Sequence, residues 1–206
     1  MLSSRLNTPS PATHNMYIYL HGFNSGGTSS KAGQLRTLLA PAPVLSPTYP
    51  AHKAGAAVSF LRDYITKTIR ELKSNTPLVL IGSSLGGFYA QCLAREFGAR
   101  IVLINPSIFP DETLLRCVGP NHNEATGEDY PLTADDVRAL GQYRAAVCDP
   151  LIPTLLLLDS GDELLDYRVA ERWYRGCGKT IVYAGGSHRF EHLAEALVKI
   201  RRLHDT

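Results

Sequence analysis

The chain has 206 residues, with Lys+Arg 21 against Asp+Glu 19, a formal net charge of +2 and 44% hydrophobic residues. That length suits one domain with a sizeable core. No basic run is dense enough for a nucleic-acid footprint (Arg201-Arg202 is too short), and no apolar run reaches membrane length, which excludes nucleic-acid binding and membrane insertion.

In chain order, residues 1–15 are polar, acid-free and rich in Pro and Ser, which predicts a short disordered leader. A strand is expected at Met16–Leu20, a Gly/Ser loop after it, and a helix over Ser30–Leu39. Val44-Leu45-Ser46 reads as a short strand bounded by prolines. Val58, Leu61, Ile65, Ile69 and Leu72 recur at helical spacing, an amphipathic helix. A strand runs to Ile81, a helix follows to about Phe97, and a strand covers Arg100–Ile104. Residues 106–150 are irregular apart from a capped helix at Thr133–Leu140. Beyond them come the strand Thr154–Leu158, a helix around Asp166–Tyr174, the strand Thr180–Tyr183 and a final helix Glu191–Leu203. Strands separated by helices predict an α/β fold with a mostly parallel sheet of about six strands flanked by helices. The whole of 16–206 is read as one domain.

The chemistry concentrates at three strand ends. Leu78-Val79-Leu80-Ile81 runs into Gly82-Ser83-Ser84-Leu85-Gly86, the G-x-S-x-G pattern of a nucleophile elbow. Such a turn strains the serine backbone and brings strand and helix so close that residues 82 and 86 must be glycine. Ser83, next to the nucleophile, is expected to point elsewhere. Earlier, Tyr17-Ile18-Tyr19-Leu20 ends in His21-Gly22-Phe23. The residue after His-Gly offers a backbone N–H to an oxyanion, so Phe23 and Leu85 are the expected donors. His21 itself reads as a structural histidine bonding its loop.

Later, an acid and a histidine follow in the order such a serine needs. His188 lies just past the last strand, placed to take the serine proton. Three acids compete to orient it. Asp159 ends its strand and could bond local amides, Asp162 lies in the following loop, and Asp166 looks like a helix N-cap. His188 and His192 are four apart, but no Glu follows His188 in the H-E-x-x-H sense and no third ligand is evident, so no metal is expected. His192 is read as an exposed helix residue and His122 as a solvated one. Asn105-Pro106 reads as turn chemistry, and Asn24, Ser25 and Ser107 are candidate pocket residues.

The strings HGFNS, IGSSLGG, INPS, SGDELLDY and YAGGSHRF resemble the small bacterial α/β-hydrolase esterases of the YqiA/YcfP-like family (UPF0227), over nearly all of the chain from Met16 to about Leu203. The resemblance implies the α/β-hydrolase fold, with 106–150 as a small cap after the sixth core strand, and a carboxylesterase or thioesterase without cofactor. It places the orienting acid at Asp162. The implied substrate is a small acyl ester or acyl thioester. The same triad could serve a peptidase or acyltransferase, and a non-catalytic binding protein on this scaffold is the rival from another class. The cysteines, Cys92, Cys117, Cys148 and Cys177, are widely spaced without C-x-x-C. With no signal-peptide pattern, a reducing cytoplasm is the expected compartment.

Overall fold

A computed structural model describes residues 15–72 and 76–204. The chain runs β1 (Met16–Leu20), α1 (Ser30–Leu39), β2 (Val44–Leu45), α2 (Ala54–Leu72), β3 (Leu78–Ser83), α3 (Leu85–Ala94) and β4 (Arg100–Ile104). It continues with α4 (Pro110–Thr113), β5 (Gly119–Asn123), β6 (Glu128–Leu132), α5 (Ala134–Leu140), β7 (Thr154–Asp159), α6 (Tyr167–Trp173), β8 (Lys179–Tyr183) and α7 (Leu193–Arg201). Six strands form one parallel sheet in the order β2-β1-β3-β4-β7-β8.

Every residue of β1, β3 and β7 is buried, because helices cover both faces. Ile18, Leu80, Leu103 and Leu156 face α2 and α3, while Tyr17, Val79, Val102 and Leu157 face α1 and α7. Each such aliphatic side chain contributes about 1.5–3 kcal/mol on burial. Together they hold the strand ends in fixed relative positions, which the site requires.

The stripe on α2 is buried at Val58, Leu61 and Ile65, but Ile69 is 37% exposed. Thr68 takes the inward position instead, its hydroxyl donating to the Tyr64 carbonyl at 2.8 Å. The side chain of Leu72 falls outside the described set. So does the predicted leader except Asn15, which is buried and donates to the Tyr17 hydroxyl at 3.2 Å.

Residues 106–150 are more ordered than their sequence implied. β5 and β6 pair antiparallel, and Tyr130 and Leu132 alternate inward to meet Val137 of α5. The alternation was hidden by polar and proline residues on the outward positions. Thr133 N-caps α5 in a reciprocal capping box with Asp136. Cys148 and Cys177 form a disulfide with Cα atoms 6.0 Å apart, which the wide spacing of the cysteines did not disclose.

The sheet order reverses between β1 and β3: from β1 the chain steps out to β2, then returns past β1 and moves the other way. The helices that follow β1 and β3 therefore lie on opposite faces of the sheet, and a crevice opens outside these strand ends, the usual place for a ligand in such sheets.

Candidate active site

β3 delivers Ser84 to this crevice. Ser84 sits at φ 54°, ψ −122°, a conformation costly for any side-chain-bearing residue. The surroundings enforce it: the Ser84 N–H donates to the Ile104 carbonyl at 3.0 Å, and its carbonyl accepts from the amides of Gly87 at 2.9 Å and Ser107 at 3.0 Å. A Cβ on Gly82 would lie 2.3 Å from the Gly86 carbonyl oxygen, and one on Gly86 would lie 2.0 Å from that of Leu20. Both glycines are thus demanded by backbone approach.

His188 Nε2 lies 3.0 Å from Ser84 Oγ, and its Nδ1 lies 2.9 Å from Asp162 Oδ2 and 3.0 Å from Oδ1. The Asp162 side chain is 2% exposed and that of His188 is 18% exposed. Asp162 Oδ1 also accepts from the Leu164 and Leu165 amides, each at 2.9 Å, which fixes the carboxylate. The His188 N–H donates to Glu163 at 2.9 Å, and this bond lowers the Glu163 pKa.

The other two acids are engaged elsewhere. Asp166 N-caps α6 through the Arg168 amide. Asp159 is wholly buried and accepts from the amides of Ser187 at 3.2 Å and Glu191 at 2.8 Å, with His192 Nδ1 2.7 Å away. His192 is therefore not the exposed helix residue its spacing implied. Its side chain is 20% exposed, its ring stacks on Tyr183, and the bond to Asp159 raises its pKa. A Cβ on Gly186, at φ +70°, would approach Asp159 Oδ2 to 1.8 Å, so the loop needs glycine there to wrap the carboxylate.

Asn105 does more than turn a corner. At φ 41° its amide donates to the carbonyls of Ser187 at 3.0 Å and His188 at 3.3 Å, and its Oδ1 accepts from the Asp159 amide at 2.9 Å. It ties the end of β4 to both later loops. Its place at a strand end beside the elbow was the available signal, but the bonding partners lie far along the chain.

His21 is fully buried. Its Nδ1 lies 2.9 Å from the Gly22 carbonyl, and its Nε2 accepts from the Tyr49 amide at 3.2 Å, which puts the proton on Nδ1. Burial lowers its pKa, so the ring is a neutral brace for the loop that carries Phe23. The amides of Phe23 and Leu85 have no hydrogen-bond partner among the described residues.

A cavity of about 690 Å³ opens beside Ser84 and His188, lined also by Phe23, Asn24, Ser25, Lys31, Glu124 and Arg189. Asn24 is held by the Tyr130 hydroxyl and by Asn121 of the β5–β6 hairpin. Ser107 does not line the cavity. It is buried, with its amide on the Ser84 carbonyl and its hydroxyl 3.3 Å from that of Thr113. His122 pairs with Asp129 on the exposed hairpin. Ser83, expected to point elsewhere, also lines the cavity, and its hydroxyl accepts from the Lys31 ammonium at 3.1 Å. No cluster of His, Cys, Asp and Glu among the described residues could hold a metal ion, and no helix of the described residues is long and apolar enough to cross a membrane.

Residues 16–205 match the profile of the uncharacterised protein family UPF0227. A UPF0227 protein of Shewanella sp. (strain ANA-3) is 30% identical over 90% of this chain and 97% of its own length. Another, from Shewanella woodyi, is 26% identical over the same shares. Among solved structures, Est1E from Butyrivibrio proteoclasticus with ferulic acid bound superposes with a TM-score of 0.70, covering 95% of this chain and 90% of that one at 14% identity. The fold is that of the α/β hydrolases.

Proposed function

We propose that this chain, which belongs to the uncharacterised protein family UPF0227, is a serine hydrolase that cleaves small carboxylic esters or thioesters. The observation that carries this is the single imidazole held between a hydroxyl and a buried carboxylate: His188 lies 3.0 Å from Ser84 Oγ and 2.9 Å from Asp162 Oδ2. With its Nδ1 proton donated to Asp162, His188 presents the Nε2 lone pair to the serine hydroxyl.

Ser84 Oγ attacks the acyl carbon while its proton passes to His188 Nε2. The Phe23 and Leu85 amides receive the oxyanion, the second at the N-terminus of α3 where the helix dipole adds to the stabilisation. Collapse breaks the C–O or C–S bond, and His188 hands its proton to the departing alcohol or thiol. A water then gives its proton to His188 and attacks the acyl-enzyme. The second collapse returns the proton to Ser84 and releases the acid. Asp162 steadies the imidazolium through both halves. No step calls for a metal or cofactor.

Asn24 and Ser25 contribute to the pocket wall, and the turn of the β5–β6 hairpin adds Glu124 and Ala125. This supports reading 106–150 as a cap that shapes the substrate site, with a small acyl compound as partner; the Cys148–Cys177 disulfide runs against the reducing cytoplasm expected as its setting. Labelling with a fluorophosphonate, mapping the modified residue, and assaying a panel of acyl p-nitrophenyl and CoA esters tests the proposal. Modification at Ser84 with turnover supports it. An unlabelled Ser84 and no turnover on any ester would favour a binding protein on a hydrolase scaffold.

A further inference from the structure

The Lys31 side chain is unusual for this cavity. It sits in the first turn of α1, partly buried, and its ammonium reaches the cavity beside Ser84. Both of its hydrogen-bond partners are neutral oxygens: Ser83 Oγ at 3.1 Å and the Arg189 carbonyl at 2.5 Å. An ammonium has three N–H donors. Among the described residues no carboxylate lies within ion-pair distance of it.

The nearest acids are committed elsewhere. Asp159 and Asp162 attract Lys31 only at longer range, and their oxygens are taken up by His192, His188 and backbone amides. The Phe190 ring, 5.9 Å away, offers a weak additional contact. Burying a cation without a counter-charge is costly, and here burial pulls the Lys31 pKa down to about 8. A protein that keeps such a charge in the cavity that holds the reacting serine gains when a ligand supplies the anion. Arg189 and one acid, Glu124, also line the cavity, and Glu124 makes no ion pair with Lys31.

We infer that Lys31 is the recognition residue for an anionic group, a carboxylate or phosphate, carried by the ester or thioester that Ser84 attacks. This rests on the hydrolase reading given above. The free N–H of Lys31 meets the anion inside the cavity, while its two protein bonds hold the side chain between the elbow strand and the loop of His188. The preferred substrates are thus polar and charged rather than long neutral acyl esters.

The test compares kcat/KM on p-nitrophenyl butyrate, which is neutral, with p-nitrophenyl hydrogen glutarate and S-butyryl 3-mercaptopropionate. The second places the anion on the acyl side and the third on the leaving group, so the favoured member identifies the source. Wild type should prefer one anionic substrate by tenfold or more. K31M should reduce that preference roughly tenfold to a hundredfold, as loss of a hydrogen bond to a charged group does. K31R should retain most of it, which a purely structural role in the loop would not explain. An anionic-to-neutral ratio that is near one in wild type, or equal in wild type and K31M, overturns the proposal while leaving the hydrolase reading intact.

If no ester is turned over and Ser84 is not labelled, the hydrolase reading fails, and Lys31 is then judged by binding alone. Calorimetric titration of S84A with glutarate and with inorganic phosphate should show binding that S84A/K31M loses; no binding, or equal binding by both, refutes the anion site. Should K31M not fold, mapping trinitrobenzenesulfonate modification of Lys31 in the wild-type protein decides the question. Protection by glutarate or phosphate supports the site, and unchanged modification refutes it.

Discussion

Asp159 and His192 form a second acid–imidazole pair, 2.7 Å apart, directly beside the Asp162–His188 pair. The two pairs share a loop but do different work. Asp159 is wholly buried and gathers the Ser187 and Glu191 amides, so it shapes the loop. Asp162 touches the ring that faces Ser84.

Substituting each acid should separate these roles. Asp162→Asn is expected to fold normally and to lose about 10⁴-fold in kcat, because an amide favours the wrong imidazole tautomer; the magnitude is that of the serine-protease case. Asp159→Asn should cost about 1–3 kcal/mol of stability, since it leaves buried N–H donors poorly matched, with a far smaller direct effect on rate. Melting curves beside kcat for both variants check this. Near-normal turnover in a folded Asp162→Asn enzyme would move the orienting acid elsewhere.

The His192 bond has a pH signature. Its hydrogen bond to Asp159 raises the folded-state pKa above the ordinary 6.5. The resulting stabilisation is fully present below about pH 6.5 and fades as pH rises through the folded value. His192→Gln should therefore lower Tm most at acidic pH, with the gap to wild type narrowing toward alkaline pH. A gap that stays constant, or widens with pH, contradicts the pairing.

Ser84→Ala should abolish fluorophosphonate labelling and reduce kcat by orders of magnitude, with little change in Tm. Ser84→Gly should also be inactive but melt above Ser84→Ala, because φ 54° is strained for a side chain and open to glycine. The difference should be about 1 kcal/mol. Equal melting temperatures would indicate that the elbow stores no such strain.

Asn105 is a positioning residue rather than a reacting one. Asn105→Ala frees the Ser187 and His188 carbonyls and so loosens the imidazole-bearing loop relative to the elbow. A misplacement of the base of this kind costs roughly 10²-fold in rate. We expect kcat to fall with KM little changed, and labelling of Ser84 to slow in proportion. A change confined to KM would assign Asn105 to substrate contact instead.

Much of this was legible along the chain because it is local. An apolar run into Gly82-Ser83-Ser84-Leu85-Gly86 can only make a tight strand-to-helix turn, and Gly82 answers to a backbone contact within that turn, although Gly86 answers to the Leu20 carbonyl on neighbouring β1. The strand and helix periods likewise follow from which side chains each element must bury. The acid was less legible. Asp159, Asp162 and Asp166 all stand near one strand end, and the loop position of Asp162 and the family resemblance favoured it before the folded loop put its carboxylate on His188 Nδ1.

What the tertiary structure alone decided are the contacts between distant segments. Lys31 reaches the Arg189 carbonyl across a sequence separation of 158, and Asn105 spans 83 residues to His188. Ile69 keeps the helical spacing yet faces solvent, and Ser107 sits near the elbow yet bonds inward. A sequence pattern specifies which residues can share a face or a turn. Which strand ends lie side by side depends on the sheet order β2-β1-β3-β4-β7-β8, and that is set by packing the whole chain around one core.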